Sequence, residues 1–122
     1  MQTLQQERAK AALESITKLV GHPDADKLLS RAAELPFMIH ANGLGQAAAF
    51  FKSKKNKDGY DTMYKILSQW LIQSGRPFAG HTDLLQAITQ SDLHTYRVAQ
   101  AEAMQYMDWV KKFAKAYLGK ES

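Results

Sequence analysis

Residues 60–71 read YDTMYKILSQWL and place apolar side chains at Tyr60, Met63, Tyr64, Leu67, Trp70 and Leu71. Gaps of three and four follow one another without a break. That is the period of one helix face, not the alternation of a strand. The run ends at Ser74-Gly75-Arg76-Pro77, where glycine and proline together stop a helix.

The same period recurs on both sides. Leu4, Ala11, Ala12, Ile16, Leu19 and Val20 predict a first helix, closed by Gly21-His22-Pro23. Asp24 is placed to cap a second helix reaching about Leu35, where Pro36 is expected to break or restart it. PFMIH then reads as a short helical turn with proline at its first position. Asn42-Gly43 marks a corner, and Leu44, Ala47, Ala48 and Phe51 line a third helix. Beyond the central run, a short helix is expected from about Thr82 to Gln90, with Leu84, Leu85 and Ile88 inward. Ser91 or Asp92 caps a last helix of about 26 residues, reaching Leu118 and spanning on the order of 40 Å. No window of five or more residues alternates as a strand would, and there is no repeat. The expected fold is all-α, a compact bundle of about six helices.

Composition agrees. The chain has 122 residues, enough for one core and one domain covering 1–122. Ala, Leu, Gln and Lys are plentiful, and only 3 prolines and 7 glycines interrupt them. There is no cysteine, which excludes disulfides and thiolate metal sites. The opening MQTLQQERAK is polar and unlike a signal peptide, and no apolar stretch nears the roughly 18 residues of a membrane span. A cytoplasmic protein with no membrane contact is the expectation.

The charge is unevenly placed. Against 12 acidic residues stand 16 basic ones. Four lie in one segment without an acid among them: Lys52, Lys54, Lys55 and Lys57, following Phe50 and Phe51. Lys111, Lys112, Lys115 and Lys120 form a second acid-free group. Outside these two segments acids outnumber bases, so the basic excess is local. A phosphate backbone can use such an excess. On a helical wheel of the last helix, Tyr96, Ala99, Ala103, Tyr106, Met107, Val110, Phe113, Ala114 and Tyr117 share one side. Arg97, Gln105, Asp108, Lys111, Lys112 and Lys115 share the other, with Trp109 off the apolar stripe. Lysines also gather at helix C-termini because of the helix dipole and stay solvated there, and this is the commoner role of either cluster.

Catalytic chemistry has little to build on. His22, His40, His81 and His94 show no zinc-ligand spacing. His81 and Asp83 could share a proton, although a helix cap suits that region better. The GxG of Asn42 to Gly45 lacks a strand before it and a GK[ST] after it, and reads as a turn. No GxSxG elbow occurs. Neither an enzyme nor a cofactor is expected.

Two blocks carry a family likeness. LPFMIHANGLGQAAAFFKSK, residues 35–54, and YRVAQAEAMQYMDWVKKFAKAYL, residues 96–118, resemble the small helical subunit of the type III-B CRISPR (Cmr) effector complex. ERAKAALESI and YDTMYKILSQWL are similar as well, so the resemblance covers nearly the whole chain. One departure is Gly45 with Ala47 and Ala48, where bulkier aliphatics are expected; it predicts a thinner third helix. The resemblance implies a non-catalytic subunit in crRNA-guided antiviral defence. Its partners would be other Cmr subunits, crRNA and target RNA, and further copies of itself stacked into a minor filament. It also implies that the Phe-Lys-x-Lys end of the third helix, here Phe51, Lys52 and Lys54, faces nucleic acid. The nucleic-acid candidates are then Lys52, Lys54, Lys55, Lys57, Arg97, Lys111, Lys112 and Lys115.

Two other classes stand beside this one. Leu84 to Ile88, the turn at Ser91 and the stretch from Tyr96 onward could pass for a helix-turn-helix of a DNA-binding regulator, although the second helix is too long and has only Arg97, Gln100 and Gln105 to offer base edges. A helical protein-interaction module without nucleic-acid contact is the third reading.

Overall fold

The computed structural model describes residues 1–119, which form six α-helices and no strand among those residues. They are α1 (Leu4–Thr17), α2 (Ala25–Asn42), α3 (Leu44–Ser53), α4 (Tyr60–Leu71), α5 (Leu84–Gln90) and α6 (Leu93–Leu118). A single turn of 3-10 helix, Lys57–Gly59, leads into α4.

The central run behaves as its spacing predicts. Tyr60, Met63, Tyr64, Leu67, Trp70 and Leu71 are all buried, and Ile66 and Ser68 join them. α4 is therefore enclosed on more than one stripe. Gly59 makes its entry possible: φ is +83°, and a Cβ there would come within 2.9 Å of Leu28 Cδ2.

α1 starts with a capping box. Thr3 Oγ1 accepts from the Gln6 N–H at 3.1 Å, and the Thr3 N–H donates to Gln6 Oε1 at 2.8 Å. The helix stops at Thr17, earlier than the apolar spacing suggests, and Val20 lies exposed in the following turns. Asp24 precedes α2 but makes no side-chain cap; its backbone N–H donates to His22 Nδ1 at 3.0 Å instead.

Pro36 does not break α2. The helix runs through it from Ala25 to Asn42, and PFMIH is its C-terminal part rather than a separate turn. Proline in a helix interior costs about 3 kcal/mol through its missing N–H and its clash with the preceding turn. Leu28, Ala32, Leu35, Pro36 and Ile39 are all buried on one stripe. At roughly 1.5–3 kcal/mol per large apolar side chain, the packing of that stripe outweighs the local penalty.

α6 packs against α1, α2 and α4 and bonds to the start of α3. Gln100 reaches Leu44, just past the end of α2, Met104 lies beside Pro36, and Lys115 lies beside Leu29, so α2 and α6 run antiparallel. The expected inner residues Ala99, Ala103, Tyr106, Met107, Val110 and Ala114 are buried, and burial pushes the Tyr106 hydroxyl up to about 12. Tyr117 is not inward: it is 49% exposed, and Leu118 closes the stripe instead. Trp109 is half-buried off the main stripe, and its indole N–H donates to Gln5 Oε1 at 3.1 Å.

The thin third helix has a structural purpose. Gly43 supplies no side-chain cap, so the first N–H groups of α3 need outside partners. Leu44 N donates to Gln100 Oε1 at 2.8 Å, and Gly45 N donates to the Tyr96 hydroxyl at 2.8 Å. A Cβ at Gly45 would stand 3.4 Å from that hydroxyl and 3.6 Å from Ile88. α6 thus caps α3 from the side.

One buried carboxylate ties three helices together. Glu102 accepts two bonds from Arg8 of α1 and one from the Trp70 indole of α4, the last at 2.9 Å. The Trp70 ring stacks on Tyr106 with centroids 4.8 Å apart and planes 7° apart. Arg76 covers the Trp70 ring at 4.2 Å and pairs with Glu7 at 3.3 Å. Burial raises the pKa of Glu102, but the hydrogen bonds from Arg8 and Trp70 outweigh it and hold the group below the usual glutamate range.

Candidate nucleic-acid interface

The four lysines after Phe51 lie at the end of α3 and in the turn before α4. All four are exposed. Three successive backbone bonds fix the turn: Lys54 N to Phe51 O, Lys55 N to Lys52 O, and Lys57 N to Lys54 O. Two non-glycine residues adopt left-handed conformations, Lys55 at φ 55° and Asp58 at φ 53°. That conformation is rare outside glycine and persists where surrounding contacts over-determine it.

Those contacts are visible. Asp58 pairs with Lys27 of α2 at 3.1 Å, and the hydrogen bond from Lys27 holds its carboxyl below the ordinary aspartate range. Behind the turn, Phe50, Phe51 and Tyr60 pack edge to face, with Phe51 and Tyr60 4.9 Å apart. Arg31 lies over the other part of this cluster, 4.4 Å from the Tyr60 centroid. Lys54 lies 5.0 Å from the Phe50 ring, and Lys52 lies 4.9 Å from the Tyr64 ring. The ammonium groups of Lys52 and Lys54 thus sit over aromatic faces on an exposed surface. None of the four takes part in an ion pair among the described residues. An anion approaching the turn meets four positive groups carried on a hydrogen-bonded backbone.

The candidates on α6 are arranged differently. Arg97, Lys111, Lys112 and Lys115 are exposed, but they do not join the turn. Lys111 and Lys115 border α2 next to Leu29, Ser30 and Ala33. Lys112 pairs with Asp108 at 2.9 Å. Arg97 is about 21 Å along the helix from Lys111, by rise per residue. Lys120, counted with this group by sequence, lies outside the described residues. Two separate basic surfaces result, one compact and one strung along a helix.

The rival chemistry finds less support. Asp83 caps α5 through Leu85 N and accepts from the Tyr64 hydroxyl at 2.8 Å, while His81 packs edge-on to Phe78. Burial, with a smaller contribution from this bond to Asp83, drives the Tyr64 hydroxyl well above its ordinary range. Among the described residues no three His, Asp or Glu side chains converge as a metal site. No helix among them is long and apolar enough to cross a membrane. The helix-turn-helix reading loses Gln100, which is held by α3 rather than offered to a base edge. Sequence reasoning did not find Lys27 and Arg31, which support the lysine turn from α2; their spacing there is ordinary for an exposed helix face.

Fold and surface together define an all-helical protein whose conspicuous feature is a rigid basic turn. Residues 4–117 match the family model described as CRISPR-associated protein (Cas_Cmr5). A solved X-ray structure of a CRISPR-associated Cmr5 family protein from Thermus thermophilus superposes with a TM-score of 0.81 at 26% identity. The match covers 95% of this chain and 98% of that one. The chain belongs to the Cmr5 family of CRISPR-associated proteins, the small subunits of the Cmr complex.

Proposed function

We propose that this single-domain subunit works without chemistry of its own, holding RNA against the α3–α4 turn in the cytoplasmic antiviral complex. Family membership supports the setting. The observation that carries the RNA reading is the turn itself: four exposed, unpaired lysines on a backbone fixed by hydrogen bonds and the Lys27–Asp58 pair. Each lysine that meets a phosphate releases counterions, and none reads a base. A guide-programmed complex suits such contacts, since base pairing with the crRNA supplies the sequence information. Copies of the subunit stack along the target strand, so weak contacts repeat and avidity accumulates.

The test is replacement of Lys52, Lys54, Lys55 and Lys57 by alanine in the reconstituted complex. Target-RNA capture should weaken, and the slope of log affinity against log salt should become shallower by roughly 0.7 for each phosphate no longer neutralised. The helical circular-dichroism signal should stay unchanged. Equal affinity across the salt titration would sink the proposal. Weaker binding at constant slope would mean that the lysines act through structure.

A further inference from the structure

The second basic surface borders something that a phosphate contact does not need. Along the seam of α2 and α6 runs an open furrow made of two adjoining depressions, which meet at Lys111. Its α2 wall carries Leu29, Ala33, Phe37 and His40, one face of that helix distinct from the stripe buried in the core. Its α6 wall carries Met104, Lys111 and Lys115. Phe37 is 70% exposed, the most open aromatic side chain of the described residues. Each wall spans about 11 residue steps, or roughly 16 Å, the length of about three helical turns.

The charges are one-sided. Lys111 and Lys115 have no ion-pair partner among the described residues, whereas Asp108, the acid that lines the furrow, is engaged by Lys112. Arg97 extends the same α6 stripe beyond Met104, by helical spacing. An apolar floor with lysines along its α6 edge matches a helix with apolar residues at i, i+3 or i+4, and i+7, and with Asp or Glu on the flank that meets α6. A nucleic-acid strand would satisfy the lysines but leave Leu29, Ala33 and Met104 without an apolar cover.

We infer that the α2–α6 furrow takes an acidic amphipathic helix of a different protein chain, anchored on Phe37 and flanked by Lys111 and Lys115. The site is separate from the lysine turn, so RNA contact and helix docking can coexist on one subunit.

The experiment places the photo-crosslinking residue p-benzoylphenylalanine at position 37 of the protein in the reconstituted Cmr complex. The crosslinked peptide is then sequenced by mass spectrometry. The expected adduct is a segment of another subunit with acidic residues around an apolar helical stripe. The double variant Lys111→Glu, Lys115→Glu should reduce its yield at least tenfold, while alanines at Lys52, Lys54, Lys55 and Lys57 should leave it unchanged. Adducts to RNA or to a second copy of this chain would overturn the inference, as would the absence of any adduct. Circular dichroism of each variant identifies loss of fold, and Phe37→Asp, at an exposed position, supplies a second disruption that should lower recovery of the same partner.

Discussion

Arg8 and Glu102 stand 94 residues apart in sequence and meet through two hydrogen bonds, Nε to Oε2 at 2.7 Å and Nη2 to Oε1 at 2.8 Å. Their side chains retain only 12% and 9% of their accessible surface. A pair this enclosed is costly to break from one side, because the remaining charge has no replacement solvent. Arg8→Ala should therefore destabilise the fold by about 3–5 kcal/mol. The midpoint of urea unfolding reports this directly; a loss below about 1 kcal/mol would show that water reaches Glu102.

The same carboxylate sets an acid limb. Glu102 in the folded state titrates below its unfolded value of about 4.3, so its contribution is complete above that pH. Stability should decline as the pH falls from there through the folded pKa. Glu102→Gln should be less stable near neutrality and show a shallower decline on acidification. Parallel acid limbs for variant and parent would assign the transition to other carboxylates.

The two tryptophans should separate cleanly. Trp70 is 2% exposed, stacked on Tyr106 and bonded to Glu102, so Trp70→Ala should cost about 3–5 kcal/mol. Trp109 is half-buried with one bond to Gln5 and a tilted contact to Phe113, and Trp109→Ala should cost about 1–2 kcal/mol. Melting temperatures in the opposite order would place the energetic centre on the α1–α6 side.

At α3, Tyr96→Phe removes the acceptor for Gly45 N at a half-buried site, at a cost of about 1–3 kcal/mol. Gly45→Ala, whose Cβ would meet that hydroxyl and Ile88 at contact distances of 3.4 and 3.6 Å, should change stability by less than about 1 kcal/mol. A double-mutant cycle between the two is expected to be non-additive. Simple addition of the two effects would mean that α3 and α6 are not coupled there.

Much of this architecture was legible because period alone carries it. The α4 stripe, the Asp92 cap and the extent of α6 all follow from spacing and cap chemistry within a few residues. What could not be read depends on partners far along the chain. Pro36 looks like a break locally, and only the burial of its neighbours against α6 keeps α2 continuous. Gly45 looks like a weak point until Tyr96 and Gln100 arrive beside it. Phe78 is buried in an irregular segment with no period to announce it. As for the basic residues, composition finds both groups, but only the fold shows that one is a compact turn and the other the edge of a furrow.

The lateral capping of α3 bears on the order in which the protein can form. α6 follows every other helix in the chain, yet it supplies the acceptors for the first turn of α3, the carboxylate for Arg8 and Trp70, and the ring that stacks on Trp70. During synthesis α1 to α5 emerge before those groups exist, with α1 and the side of α2 that faces α6 left uncovered. The nascent chain must therefore wait for α6 to leave the ribosome before the bundle closes, and fragments ending before Glu102 should be substrates for chaperones and proteases rather than partial bundles.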